Sequence, residues 1–162
     1  MEEKVVLIDY DEIYADEIDE IERQEWGVNG ESIREEISDN LVIKLAKYQE
    51  KIVGCAYAKV IGDLFYIEVI IVKPEYQHQH IGSLFMDYFL EYAKEHKLAN
   101  MVGEGVCTNG RLNIEGIMKK YGFLEVFRVK NYWGARYPEA SCKSCGQKPC
   151  VCTGVIFAKH LY

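Results

Sequence analysis

The chain has 162 residues, a formal net charge of −7, 49% apolar residues and 28% charged residues. That length suits one domain able to bury about two-thirds of its unfolded surface, and the composition excludes a disordered chain. The acidic balance argues against a general nucleic-acid binder, and no apolar run approaches the roughly 18 residues of a membrane-spanning helix.

The start, Met-Glu-Glu-Lys, lacks the basic-then-apolar layout of a secretory signal, so a cytoplasmic location is expected. Residues 4–8 are apolar and β-branched and read as a first strand. Residues 12–25 carry Ile13, Ile18 and Ile21, with Trp26 after them, at roughly helical spacing, and the acids concentrated over residues 9–25 read as a solvated helix face, the alternative being a docking surface for cations. Asn29 and Ser32 are candidate caps for a short helix over residues 31–37. Residues 41–47 and 52–61 form two strands about a turn at 48–51, and Gly62-Asp63 turns the chain again. Residues 64–72, dominated by Ile and Val, predict a central strand covered on both faces.

A helix follows over residues 82–96, with Leu84, Phe85, Tyr88, Phe89 and Tyr92 along its core side. Residues 100–107 form a short strand, and residues 112–121 a helix closed by Gly122 as a left-handed cap. Residues 123–133 and 153–161 complete the pattern as two strands. No internal repeat or low-complexity linker interrupts the chain, so residues 1–162 are expected to form one domain, with a small insertion at 140–153.

The run VKPEYQHQHIGS (residues 72–83) joins the buried strand to the amphipathic helix. The first N–H groups of a helix lack internal partners and, with the helix dipole, form an anion site. Gly82 has no β-carbon, so a ligand can approach the backbone there. Taken alone, the run fits either a pyrophosphate loop or an ordinary strand–turn–helix junction.

The same run resembles the acetyl-CoA signature of the GNAT superfamily of N-acetyltransferases, Gln/Arg-x-x-Gly-x-Gly/Ala. Gln77 and Gly82 match its first and last positions, and His80 stands where the middle glycine is usual. KIVGCAYAKV (51–60) looks like the family's third strand, and NIEGIMKKYGFLEVF (113–127) like its fourth helix and following strand. The segment RVKNYWGARYPEA (128–140) is similar to a stretch of the family's protein N-terminal members, the ribosomal-protein-alanine type.

The resemblance implies an α/β (α+β) GNAT fold. Its mixed, mostly antiparallel sheet would have about seven strands splayed between the fourth and fifth, flanked by about four helices. It implies an acyltransferase of the EC 2.3.1 class that uses acetyl-CoA as cosubstrate. Backbone groups of Ile70, Ile71 and Val72 would meet the pantetheine arm and the thioester carbonyl. The stretch Gln77, His78, Gln79, His80, Ile81, Gly82 and Ser83 would hold the pyrophosphate through main-chain amides. An amide near the start of the fourth helix usually meets the cofactor in this family. Asn113 is the residue assigned to that role here, although the usual spacing falls on Arg111.

Direct transfer needs an uncharged amine and an acid for the leaving thiolate. Deprotonating a lysine at neutral pH costs about 4.6 kcal/mol, against about 1 kcal/mol for an α-amine. Tyr66 and Glu68 are two apart on the central strand and so share a face. They are the catalytic candidates; the alternatives are a Glu68 that faces solvent or pairs with a lysine, and a Tyr66 that walls the cleft. The family's usual tyrosine acid falls on Met118, which cannot donate a proton. Tyr132, Trp133 and Tyr137 would wall the acceptor site, as the family's loop between the last two strands does; otherwise they are ordinary surface packing.

Cys142, Cys145, Cys150 and Cys152 crowd into eleven residues, while Cys55 and Cys107 lie alone in strand-like runs. Four thiolates at short spacing can close a tetrahedron around structural zinc; an iron–sulfur cluster and plain thiols are the alternatives. Such a knuckle between the last two strands would fold an insertion too small for its own core and so fix the substrate loop. The expected partners are an amine-bearing substrate and at most a second copy of the chain, as monomer or homodimer. Nucleic acid and membrane are not expected. The competing readings are small-amine or polyamine acetylation and an inactive scaffold used as a zinc-knuckle binding module.

Overall fold

The computed structural model describes residues 3–27 and 32–162. The chain forms β1 (Val6–Asp9), α1 (Ala15–Trp26), α2 (Ile33–Glu36), β2 (Leu41–Tyr48), β3 (Lys51–Ile61) and β4 (Leu64–Val72). It continues through α3 (Ile81–Glu95), β5 (Asn100–Thr108), β6 (Arg111–Leu112) and α4 (Glu115–Lys120). It ends with β7 (Leu124–Val129), α5 (Tyr132–Arg136) and β8 (Thr153–His160). The sheet runs β1-β2-β3-β4-β5-β8-β7, with β6 paired on β5. All pairings are antiparallel except β4 with β5.

Two apolar clusters sandwich the sheet. On one face Phe85, Met86 and Phe89 of α3 pack with Phe65 and Ile67 of β4, Met101 of β5 and Met118 of α4. Phe65 and Phe89 meet edge to face at 5.1 Å, and both are fully buried. On the other face Ile18 and Ile21 of α1 and Ile33 of α2 pack with Cys55, Tyr57, Val69 and Ile71. The apolar spacing of α1 thus serves the core, while its acids form caps and pairs. Asp19 accepts from Ile33 N–H at 2.8 Å, and Arg34 lies 2.9 Å from Glu12 and 3.0 Å from Asp16. Ser32 caps α2 by accepting from Arg34 N–H; the cap expected at Asn29 lies outside the described residues.

The sides of β4 exchange within the strand. Ile67 pairs with Ala58 and Val69 with Tyr57, leaving Glu68 without a partner on β3. This bulge puts Phe65 and Ile67 in one cluster but Val69 and Ile71 in the other. Burial along β4 alternates instead of being continuous: Tyr66 and Glu68 before and at the bulge, and Ile70 and Val72 beyond it, are only partly buried.

Two expected elements differ. The helix expected over 112–121 begins at Glu115, since Arg111–Leu112 pairs back on β5. The strand expected over 123–133 ends at Val129, and Tyr132 and Trp133 belong to the five-residue α5. The insertion before β8 forms no helix or strand of its own, and it brings four cysteines together. Among the described residues, no helix is long and apolar enough to cross a membrane.

Candidate active site

The site begins where β4 and β5 part. They pair in parallel from Leu64↔Asn100 to Ile67↔Gly103 and no further. β5 continues with β8 along Asn100–Cys107, and β4 continues with β3 to Val72. The backbone of Ile70, Ile71 and Val72 therefore lines a gap with no strand partner on the β5 side. Gly103 and Gly105 carry β5 along α4 closely; a β-carbon on Gly103 would stand 2.6 Å from Met118 Cε.

At the wide end of this gap the chain enters α3 through a 3-10 turn at Pro74–Tyr76. Gln77 donates its side-chain amide to the Val72 carbonyl at 3.0 Å, so it closes the end of β4. His78 and His80 take positive φ, 62° and 64°. His80 thus adopts the left-handed conformation that the family's glycine reaches freely, and its imidazole remains exposed. No side chain caps α3, and its first helical bond runs from Leu84 N–H to the His80 carbonyl. The N–H groups of Ile81, Gly82 and Ser83 precede it in a first turn that carries no acid. Lys120 Nζ stands 2.9 Å from Ser83 Oγ, and Tyr121 donates to the Ser83 carbonyl at 3.1 Å and to Asp87 at 2.7 Å. Tyr121 is therefore a tie between α4 and α3. Asn113 accepts the Val106 N–H at 2.9 Å, so its side chain secures the parted length of β5.

The opposite mouth of the gap, on the α1–α2 side, holds the polar chemistry. Tyr66 and Glu68 both face this side. Glu68 lies 3.1 Å from Lys59 Nζ, which also stands 3.5 Å from Glu36. Glu104, on β5 just past the last pair, accepts from Arg136 at 2.6 Å on one oxygen and from the Tyr132 hydroxyl on the other. Its side chain is only 9% exposed. Arg136 also reaches Tyr66 Oη at 3.2 Å and Tyr132 Oη at 3.0 Å. Burial, then the hydrogen bond to Glu104, pushes the Tyr66 phenol pKa well up, so it keeps its proton as a donor. Burial opposes charge on Arg136, but the bond to Tyr66 and the charge of Glu104 outweigh it and raise its pKa. Trp133 and Tyr137 stack nearly parallel beside this cluster, and the buried Trp133 Nε1 has no hydrogen-bond partner among the described residues.

The sequence thus pointed to Tyr66, Glu68 and the α5 aromatics, which the fold gathers on one side. It missed Glu104 and Arg136. The signal for Glu104 was an acid between two glycines inside a strand, Gly103-Glu104-Gly105.

The four cysteine sulfurs lie within 4.8 Å of one another. Cys142 Sγ is 3.8 Å from Cys152 Sγ, and Cys145 Sγ is 3.8 Å from Cys150 Sγ. A zinc–sulfur bond of about 2.3 Å gives a tetrahedral edge of about 3.8 Å, so this donor set fits a four-coordinate thiolate centre. Backbone N–H groups of Cys145 and Cys152 point at Cys142 Sγ and Cys150 Sγ at 3.5 and 3.4 Å, supporting negative charge on those sulfurs. The knuckle touches α5, where a β-carbon on Gly134 would lie 2.0 Å from the Cys150 carbonyl oxygen. It also touches the end of α1, where one on Gly27 would lie 2.3 Å from Ser141 Oγ.

A family model described as Acetyltransferase (GNAT) family matches residues 7–123. No curated protein matches the sequence. Among solved structures, the chain is similar to the ribosomal-protein-S18-alanine N-acetyltransferase from Escherichia coli. The TM-score is 0.77 at 16% identity, over 97% of this chain and 94% of that one. A GNAT family acetyltransferase from Elizabethkingia anophelis with acetyl-CoA bound gives 0.71 at 20% identity, over 97% and 98%. The aminoglycoside 6'-N-acetyltransferase from Enterococcus faecium gives 0.72 at 12% identity, over 96% of both chains.

Proposed function

The chain belongs to the acetyltransferase (GNAT) family, and from that premise we propose that it moves an acetyl group from acetyl-CoA directly to a protein N-terminal α-amine. The observation that carries this reading is the parting of β4 and β5 after Ile67↔Gly103, directly beside the uncapped start of α3. In this reading the pantetheine arm lies in the gap along Ile70, Ile71 and Val72. Main-chain amides over His78–Ser83 hold the diphosphate, with Gln77 fixing the loop's origin. Asn113 borders the arm from the β5 side.

At the acceptor mouth, Glu104 takes the proton from the amine as its nitrogen attacks the thioester carbon. The carbon–sulfur bond breaks, and Tyr66 donates its phenolic proton to the departing thiolate. That division rests on placement: Glu104 is the carboxylate just past the last β4–β5 pair, Tyr66 is the hydroxyl on the facing strand, and Met118 offers none. Glu68 acts beside them as the carboxylate that attracts the incoming ammonium, with Lys59 holding it in place. Tyr132, Trp133 and Tyr137 wall the acceptor. An α-amine suits this site because its deprotonation at neutral pH costs only about 1 kcal/mol. A second reading, a polyamine acceptor, is favoured by Glu36, Glu68 and Glu104 gathered at the same mouth.

We assign zinc to Cys142, Cys145, Cys150 and Cys152. With four thiolates bound it would supply folding energy and no open position for chemistry. Calorimetric titration with acetyl-CoA, followed by free-thiol release assays with alanine-initiated peptides and with spermidine, tests the function. Turnover with the peptides is expected; acetyl-CoA binding without turnover on any amine would favour an inactive scaffold. A zinc-to-protein ratio near zero in freshly reduced protein would defeat the metal assignment.

A further inference from the structure

We propose that Arg136 is a positioning residue for acetyl transfer and that the four-cysteine centre sets its place through Gly134. This rests on Tyr66 and Glu104 forming the reacting end of the site. The helix that carries Arg136 has five residues, far too few to persist alone in water, so its position must come from contacts with the rest of the fold. Its backbone at Gly134 lies directly on Cys150, where any side chain would strike the carbonyl oxygen. Its first residue, Tyr132, lays its ring over Gly154, where a β-carbon would come within 2.4 Å. Two glycines thus seat the helix, one of them on the knuckle itself.

From that seat Arg136 reaches back to the split between the strands. Its guanidinium takes one oxygen of Glu104 while Tyr132 takes the other, which leaves the carboxylate a single orientation. The same guanidinium contacts the Tyr66 hydroxyl. It is itself confined, lying 5.3 to 5.9 Å from the ring centroids of Tyr132, Trp133 and Tyr137. The knuckle has a second hold on the site, since Thr108 Oγ1 at the end of β5 lies 3.0 Å from Cys152 Sγ. The strand that carries Glu104 and the helix that orients it therefore share one anchor. A cation bonded to all four sulfurs ties the insertion to one point, whereas without it they are four separate thiols. Without the cation the insertion, which has no regular secondary structure to fall back on, loosens. Arg136 then loses its register against Glu104.

The test follows Arg136 directly. In protein labelled at arginine with nitrogen-15, the guanidinium signal missing from Arg136→Lys identifies the residue. In the zinc-loaded protein that signal is expected to be shifted and slow to exchange. It should fall to the position of a free arginine after EDTA treatment, and also in Gly134→Ala. A signal unmoved by both overturns the proposal, and should Gly134→Ala not fold, the EDTA arm decides alone. In thiol-release assays with an alanine-initiated peptide and with spermidine, Gly134→Ala and Arg136→Met should each lower kcat about tenfold, with the Kd for acetyl-CoA within about twofold of wild type. Arg136→Lys should recover part of the loss, and the double variant should be no worse than either single one. Losses that multiply mean two unrelated effects and refute the relay. Full activity in Glu104→Gln would instead sink the reading of the site. Activity lost in Glu104→Gln but kept in both other variants would sink this proposal only.

Discussion

Ile67 faces Gly103 in the last pair that β4 and β5 share, and the next residue, Glu68, has no partner on β3. The bulge and the parting of the strands are therefore adjacent. A bulge bends its strand and sharpens its twist, which turns β4 away from β5. Deleting Glu68 would restore a simple register and send either Phe65 and Ile67 or Val69 and Ile71 to the wrong face. Each misplaced side chain costs about 1.5–3 kcal/mol, so the two cost about 3–6 kcal/mol against a typical stability of roughly 5–15 kcal/mol. The deletion variant is expected to lack a cooperative thermal transition, whereas Glu68→Ala should melt cooperatively. A deletion that melts like wild type would show that the bulge does not set the faces.

His80 starts α3 at φ 64°, ψ 18°. A side chain in this region costs roughly 1–2 kcal/mol, and glycine returns about 0.5–1 kcal/mol of that through its freer unfolded chain. His80→Gly should therefore stabilise by between about 0 and 1.5 kcal/mol. It should leave acetyl-CoA affinity within about threefold, because the proposed grip is through amides. Calorimetry checks both. A collapse of binding would mean that the imidazole itself meets a phosphate.

Glu22 of α1 accepts from the Tyr57 hydroxyl at 2.5 Å. Burial above all pushes its pKa up to about 7; the Tyr57 bond works against this, and Asp19, Glu36 and Glu68 add to the rise. An acid raised in the folded state holds its proton more tightly when folded. Its contribution to stability is complete below the ordinary value of 4.5 and is lost as pH rises to about 7. The swing is on the order of 3 kcal/mol. Urea unfolding of wild type and Glu22→Gln across that range should give a difference that grows in favour of the variant and levels off above neutrality. A constant difference would contradict the raised pKa.

Much of this arrangement could be read in the chain. Both ends of Leu64–Val72 are legible because Gly62-Asp63 and Pro74 punctuate it and β-branched residues fill it. The amphipathic spacing of Phe85, Phe89 and Tyr92 fixed α3 and its buried side. The four cysteines were legible from spacing alone. What stayed hidden depends on distant partners. The bulge at Glu68 exists only relative to β3. Tyr132 and Trp133 alternate like a strand locally, yet they open a helix whose Gly134 lies against Cys150, sixteen residues on, a contact no local pattern carries. Glu104 gained its meaning from Arg136, which lies in that same helix.

Tyr66 and Glu104 stand on neighbouring strands just where those strands part, and the proposed division of labour gives each variant a separate signature. Glu104→Gln keeps the shape but cannot take a proton, so kcat should fall by about 10²–10⁴ while acetyl-CoA still binds. Tyr66→Phe removes the donor to the departing thiolate. Its loss should shrink with an acetyl thioester of a more acidic thiol, which needs less help to leave, whereas the Glu104→Gln loss should not. Glu68→Ala should chiefly raise KM for a cationic acceptor, and Lys59, left without this half-buried partner, keeps its contact with Glu36. The comparison is made by steady-state thiol release with matched thioesters. If Glu68→Ala abolishes kcat while Glu104→Gln does not, the proton passes to the bulge residue and the assignment of Glu104 as base is wrong.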